Sequence, residues 1–298
     1  MTQPTHRASV KVTIMIDPSQ LVEKVRNIKP LSEATRKLLV LMGQPDHQIQ
    51  DLVRIVEHEP ALTANVLRVA NSATFALNRK LATLAEAASY LGYMHIVGIA
   101  LATSGQDVFN AELKGYDGSR GDLGRHCLWT ALAAKELANL TDDRVYQGLA
   151  FTSGLLHDIG KVVISDFLPE YAEEMEQRLQ TSQVSDYITA EREVLGTDHC
   201  AVGGLLAEHW QLPESLQMGI AYHHSPQEAD EEWQPTAFVV HLADMMAMMS
   251  GNGTGVDAIL YGLDSRYSEF VTITPEQLEP MMLDLQLEFE RTAPLLFD

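Results

Sequence analysis

From Ile28 onward, apolar residues recur at three- and four-residue spacings, and this period constrains the chain more than any other feature, because an α-helix gathers it onto one buried face. LSEATRKLLVLM (31–42) and IQDLVRIVEH (49–58) both carry it. Pro60, following Glu59, opens ALTANVLRVANSATF, in which Leu62, Val66, Leu67 and Ala70 share a face. In TLAEAASYLGYMHIVGIAL (83–101) Gly92 interrupts the pattern and predicts a helix, a break and a second helix. The period returns in RHCLWTALAAKELANL (125–140), VYQGLAFTSGLLHDIGKVVISDF (145–167), HCAVGGLLAEHWQLP (199–213) and PESLQMGIAYHH (213–224), with acidic helices around 169–180 and 185–195. FVVHLADMMAMM (238–249) is apolar on nearly all sides and predicts a central buried helix. Thr274-Pro275-Glu276-Gln277 supplies an N-cap, Pro at N1 and Gln at N3 for a last helix to about Arg291. The fold class is all-α.

KGYDGSRG (114–121) holds three glycines with Asp117 and Ser119, which is turn chemistry and a boundary signal. It divides an N-terminal helical lobe, residues 25–113, from a second lobe, 122–298. Each has apolar faces too wide to leave in water, so the two are expected to pack as one module. Residues 1–24 read as a tail or one short strand, since Val10, Val12, Ile14 and Ile16 alternate with Lys11, Thr13 and Met15. A lone strand needs a partner; the run Phe270-Val271-Thr272-Ile273 is one candidate, and a disordered tail is an equal alternative.

Charge narrows the partners. With 21 Lys+Arg against 41 Asp+Glu the formal charge is −20, so bulk electrostatics repels DNA and RNA. Cys127 and Cys200 are too few for a disulfide framework. The start, MTQPTHRASVKVTIMID, lacks the basic-then-apolar form of a signal peptide, and no uninterrupted apolar run approaches 18 residues, so membrane insertion is not expected and the cytoplasm is the expected address.

Polar residues set into these apolar helices carry the chemistry. His126, His157, Asp158, His199, His223, His224 and Asp244 all fall in the second lobe. Imidazole mixed with carboxylate suits a divalent transition metal, with Fe or Mn favoured and Zn or Ni admissible, over Mg or Ca. His157-Asp158 sits between Leu155-Leu156 and Ile159, and a buried His-Asp pair in such a frame needs mutual hydrogen bonding or a cation. Asp158 could bridge two ions, as two-metal hydrolysis requires. Lys161, three residues on, shares a face with Asp158 if the helix continues and would there neutralise a phosphate. Asp244 is costly to bury without a partner. Adjacent His223 and His224 cannot point the same way from a regular helix, so one is expected inside. Read singly, His126 and His199 are ordinary helix histidines. His6, His47, His58, His95, His209 and His241 are assigned to surface or packing. Asn71-Ser72 reads as a helix cap and turn, Met245, Met246, Met248 and Met249 as core packing, and Asp230-Glu231-Glu232 as a solvated loop.

SGLLHDIGK (153–161), DHCAVGGLLAEHWQLP (198–213), AYHHSP (221–226) and HLAD (241–244), in this order, resemble the HDOD family, a branch of the HD superfamily of metal phosphohydrolases. EPALTANVLRVANSATF (59–75) and AASYLGYMHI (87–96) resemble that family's N-terminal helical half. The resemblance spans roughly residues 25–290 and implies an HD-type helical bundle with an N-terminal lobe and a cytoplasmic regulatory role in bacterial signalling. The sister HD-GYP branch hydrolyses cyclic di-GMP at a binuclear centre, and its ligand pattern falls here on His126, His157, Asp158, His199, His223, His224 and Asp244, with its lysine at Lys161. After the paired histidines that branch has a Gly-Tyr-Pro signature; this chain has SPQEADEEWQP, which speaks against cyclic dinucleotide hydrolysis.

Three functional readings follow. The first is a regulatory output module with a mono- or binuclear metal site of structural or sensing role, its partners being signalling proteins and, in a sensing role, a nucleotide or phosphate ligand. The second is a metal-dependent phosphohydrolase of a nucleotide or phosphodiester, in which Asp158 and Lys161 are catalytic. The third is a metal-free helical interaction module.

Overall fold

The computed structural model describes residues 15–44, 46–75, 79–142, 144–180, 186–257 and 260–297. Among the described residues there is no strand, and one isolated bridge, Leu113 to Gly118, closes the turn of the glycine-rich loop. The N-terminal part comprises α1 (Pro18–Asn27), α2 (Glu33–Met42), α3 (Ile49–Glu57), α4 (Pro60–Ala70), α5 (Leu84–Ser104) and α6 (Gln106–Phe109). The rest comprises α7 (Asp122–Ala138), α8 (Gln147–Leu156), α9 (Lys161–Ile164), α10 (Ala172–Gln180), α11 (Tyr187–Leu195), α12 (His199–His209), α13 (Glu214–Ala221), α14 (Gln234–Met249) and α15 (Pro275–Leu296).

Local chemistry accounts for the ends. Thr83 and Glu86 exchange capping bonds at 3.2 Å, starting α5. Gly92, at φ +76° and ψ 166°, breaks it where the sequence predicts, since an L side chain is strained there. The Thr274 N–H donates to Gln277 Oε1 at 2.9 Å, starting α15. That helix runs past Arg291 to Leu296. Asn71 caps α4, with its side chain bonded to both the N–H and the carbonyl of Leu81.

The centre of the molecule is α7, flanked by α8 and α14, with α15 on a further side. α5 packs on α2, α3 and α4 and also touches α8 and α15, joining the two halves. α5 is long and apolar enough to cross a membrane by length and composition alone, but Gly92 breaks it and 56% of its most apolar window is buried against its neighbours.

Two expectations change, and one falls outside the described residues. The alternating run from Val10 lies outside the described residues except for Met15 and Ile16, as does His6. Ile16 is buried and its N–H donates to the Leu195 carbonyl at 3.0 Å. Phe270–Ile273 is no partner strand: the Phe270 and Val271 N–H groups turn back onto the Tyr267 carbonyl at 2.9 and 2.8 Å, ending a 3₁₀ turn. Among the four methionines only Met245 and Met246 are buried; Met249 is 79% exposed because α14 emerges from the core at its last turn.

Candidate metal centre

Two glycine contacts bring the site together. A Cβ on Gly154 would lie 2.9 Å from the Ala131 Cα, so α8 meets α7 nearly backbone to backbone, with His157 at the end of one and His126 in the other. A Cβ on Gly160 would lie 1.9 Å from the His199 carbonyl oxygen, so the turn after His157 presses on the first residue of α12. α12 starts there because the Asp198 side chain accepts the Ala201 N–H at 2.8 Å.

All seven proposed ligands converge. His126 Nε2 lies 3.1 Å from Asp244 Oδ1, 3.3 Å from Asp158 Oδ2 and 3.2 Å from His157 Nε2. His157 Nε2 lies 3.5 Å from Asp158 Oδ2 and 3.6 Å from Asp244 Oδ1. The other Asp158 oxygen, Oδ1, faces His199 Nε2 at 3.4 Å and His223 Nε2 at 3.6 Å. His224 Nε2 is 3.9 Å from Asp244 Oδ2. Asp158 thus stands between two histidine groups, one oxygen toward each. No side chain in the set is more than 3% exposed.

Proton placement shows what the cluster needs. Nδ1 of His126 sits 2.6 Å from the Asn252 carbonyl, that of His157 2.8 Å from Gly154, that of His223 2.8 Å from Ile220. Nδ1 of His199 is 2.9 Å from Glu191 Oε2. These partners only accept, so each Nδ1 carries the proton and each Nε2 of a neutral ring presents a lone pair. Four such lone pairs and two carboxylates, all acceptors, therefore face one another. Both oxygens of Asp158 and the Nε2 atoms of His199 and His224 have no aligned hydrogen bond. Buried acceptors packed this way require positive charge among them, and outward-bonded imidazoles with inward lone pairs are how metal-binding histidines are held. The donor set fits a divalent transition metal.

Electrostatics agrees. Burial opposes charge on His126, yet Asp158 and Asp244 lift its pKa to about 9. Burial likewise opposes charge on His223, while Cys200 and Asp158 raise it to about 10. Burial works against ionised Asp158, but Lys161 and the histidines hold its pKa well below the usual carboxylate range. The carboxylates thus favour a proton on His126 and His223.

Two sequence expectations are corrected. Both His223 and His224 point inward, because α13 ends at Ala221 and the pair lies in the following turn, free of helical geometry. Lys161 does not continue the helix of His157; residues 157–160 form a turn and Lys161 starts α9. Its ammonium still reaches Asp158 at 2.7 Å but also binds Asp257 at 2.7 Å and Thr254 at 2.9 Å, and the residue is 2% exposed. Its charge is already matched by protein carboxylates, unlike that of a lysine waiting for phosphate.

A supporting layer escaped the sequence reading. Glu191 accepts from the His199 ring and backbone N–H, both at 2.9 Å, and from the Tyr116 hydroxyl at 2.5 Å. Tyr261 stacks on His224 with centroids 4.0 Å apart and donates to Asp257 at 2.7 Å. Cys200 Sγ lies 3.6 Å from both His223 nitrogens. Its place beside His199 was a usable signal; Glu191 and Asp257 had none, lying on a helix and in a loop without distinctive spacing. His241, assigned to packing, is buried and holds the His223 carbonyl at 2.7 Å through Nδ1 and the Asp264 N–H at 2.9 Å through Nε2.

Fold and cluster together define an all-helical protein of the HD type. The HDOD domain family matches residues 28–226, and the chain belongs to it. An uncharacterized protein of Treponema pallidum is 26% identical over 276 residues, covering 91% of this chain but 52% of that protein, so the chain spans about half the length of the curated relative it matches. Two solved structures share the fold. One, from Marinobacter aquaeolei and provisionally assigned to signal transduction, has a TM-score of 0.73 at 21% identity, covering 94% of this chain and 65% of its own. The other, from Shewanella amazonensis and provisionally assigned as a phosphohydrolase, has a TM-score of 0.64 at 22% identity, covering 93% and 98%.

Proposed function

We propose that this chain is a regulatory signalling module whose helices are tied together by a buried divalent transition-metal centre of structural or sensing role. The observation carrying this reading is the convergence of four histidine lone pairs on Asp158 and Asp244 inside a closed core. His126, His157, Asp158 and Asp244 would hold one ion; His199, His223 and His224, with the second Asp158 oxygen, would hold another. When bound, such a metal supplies Lewis acidity and lowers the pKa of a bound water. Here the surrounding residues do something else: Lys161 neutralises Asp158 and Asp257, Tyr261 covers His224, and burial keeps a bulky phosphoester away. Residues 25–113 and 122–298 act as two lobes of one module, a reading supported by the packing of α5 on α8 and α15. Signalling proteins of the cytoplasm are its partners. Elemental analysis of protein purified without a metal-affinity tag tests the proposal; a stoichiometry of transition metal below one ion per chain, unchanged after refolding with Fe or Mn, removes it.

A second reading, phosphohydrolysis, has specific support in the complete ligand set and in the neighbour provisionally assigned that activity. Turnover of a cyclic dinucleotide, a nucleotide or an aryl phosphodiester by Mn- or Fe-loaded protein, lost in Asp158→Ala, would favour it over the regulatory one.

A further inference from the structure

Away from the histidine cluster, a cavity of about 230 Å³ opens where α5, α7, α8 and α15 meet. Leu128 and Leu132 from α7, Phe151 from α8 and Leu296 from α15 form an apolar wall, and Lys135, Gln147 and Glu288 also line the space. The break at Gly92 creates the space: the backbone turns at φ +76° and nothing lies within 4 Å of where its Cβ would be. Two buried polar atoms line this space without partners. The Thr292 hydroxyl, on a residue 3% exposed, has no hydrogen bond, although helical threonines commonly bond back to a carbonyl one turn earlier. His95 Nε2 also has none, while its Nδ1 sits 2.8 Å from the Leu91 carbonyl. Nδ1 therefore carries the proton and Nε2 is an acceptor awaiting a donor.

We propose that this cavity is a binding site for a small, flat, mostly apolar ring molecule that donates one hydrogen bond to His95 Nε2 and meets the Thr292 hydroxyl. A one- or two-ring organic molecule fills the apolar part while its N–H or O–H satisfies the unpaired atoms, the usual division of labour in ligand pockets. The site is independent of the metal reading, since none of its groups belongs to the cluster.

Indole is a suitable probe, with indene as the same shape lacking the N–H. Binding is followed by the ¹³C-methyl resonance of Met94, which lines the cavity, in protein with its native metal content. Indole should shift that resonance with a Kd below about 1 mM, and indene should bind about tenfold more weakly. His95→Phe and Thr292→Val should each abolish that preference while keeping the native circular dichroism. Leu132→Trp, which fills the cavity, should abolish binding of both. No Met94 shift with indole, equal affinity for indole and indene, or undiminished binding in Leu132→Trp would each overturn the proposal.

Discussion

The Lys161 ammonium lies 2.7 Å from a carboxylate oxygen of Asp257, and both side chains are no more than 3% exposed. The same ammonium is 2.7 Å from Asp158, so one buried cation serves two buried anions. Neutralising Asp257 leaves Asp158 as the remaining carboxylate beside Lys161. Asp257→Asn should lower unfolding stability by about 3 kcal/mol, as breaking one side of a buried pair does, measured by urea titration. A change within experimental error would mean that Lys161 is paired well enough without it.

Asp158→Ala removes the carboxylate that faces both histidine groups. Metal content should fall to background by elemental analysis, and the melting temperature should drop with it. Loss of a ligand held at a thousandfold over its Kd costs about 4 kcal/mol. On the regulatory reading there is no phosphoester turnover to lose.

Glu191 touches no proposed metal position, yet it fixes the His199 ring through Nδ1. Glu191→Gln keeps the shape and weakens that hold. Metal affinity should fall about 10- to 100-fold, read by competition with a fluorescent chelator, while the circular dichroism stays native. Unchanged affinity would show that His199 is oriented by packing alone.

Proton occupancy gives the metal-free protein a distinctive pH profile. His126 and His223 have folded pKa values of about 9 and about 10, above the ordinary 6.5. Their stabilisation is fully present below the unfolded value and is lost as pH rises through 9 to 10. His157 and His224 are shifted downward, both by burial first and by neighbouring His223. Stability from keeping them neutral is lost as pH falls below their unfolded value near 6.5. Chelated protein should therefore be most stable at about pH 6.5, where both contributions are close to full. Metal-loaded protein should gain more stability as pH rises above that point, because metal must displace protons from Nε2 and they compete less there. Thermal melts over pH 5–10 with and without chelator test the contrast; parallel curves would contradict it.

The helical class and the gathering of the seven polar residues were legible because both leave periodic marks: apolar spacing for the helices, and polar residues embedded in apolar runs for the cluster. The Gly92 break and the Thr274 cap were readable from backbone chemistry at single positions. What escaped depends on helix ends. His223 and His224 both face inward only because α13 stops at Ala221, and nothing in AYHHSP marks that stop. Lys161 looked available for a phosphate because its partner Asp257 lies 96 residues further along the sequence. Glu191 was hidden among the other acids of an acidic chain.

The bond from His126 Nδ1 to the Asn252 carbonyl joins positions 126 residues apart. During synthesis, His126 is made 118 residues before Asp244, so at ~5–20 residues per second it waits roughly 6–24 s for that carboxylate. Helices α7 and α8 can pair during that interval, since Gly154 needs only its contact with Ala131. A nascent chain therefore carries His126, His157 and Asp158 as an incomplete cluster until α14 has formed. On the proposed metal reading, ion capture would be a late event in the birth of this molecule, and a ribosome stalled before residue 244 should hold a helical but metal-poor chain.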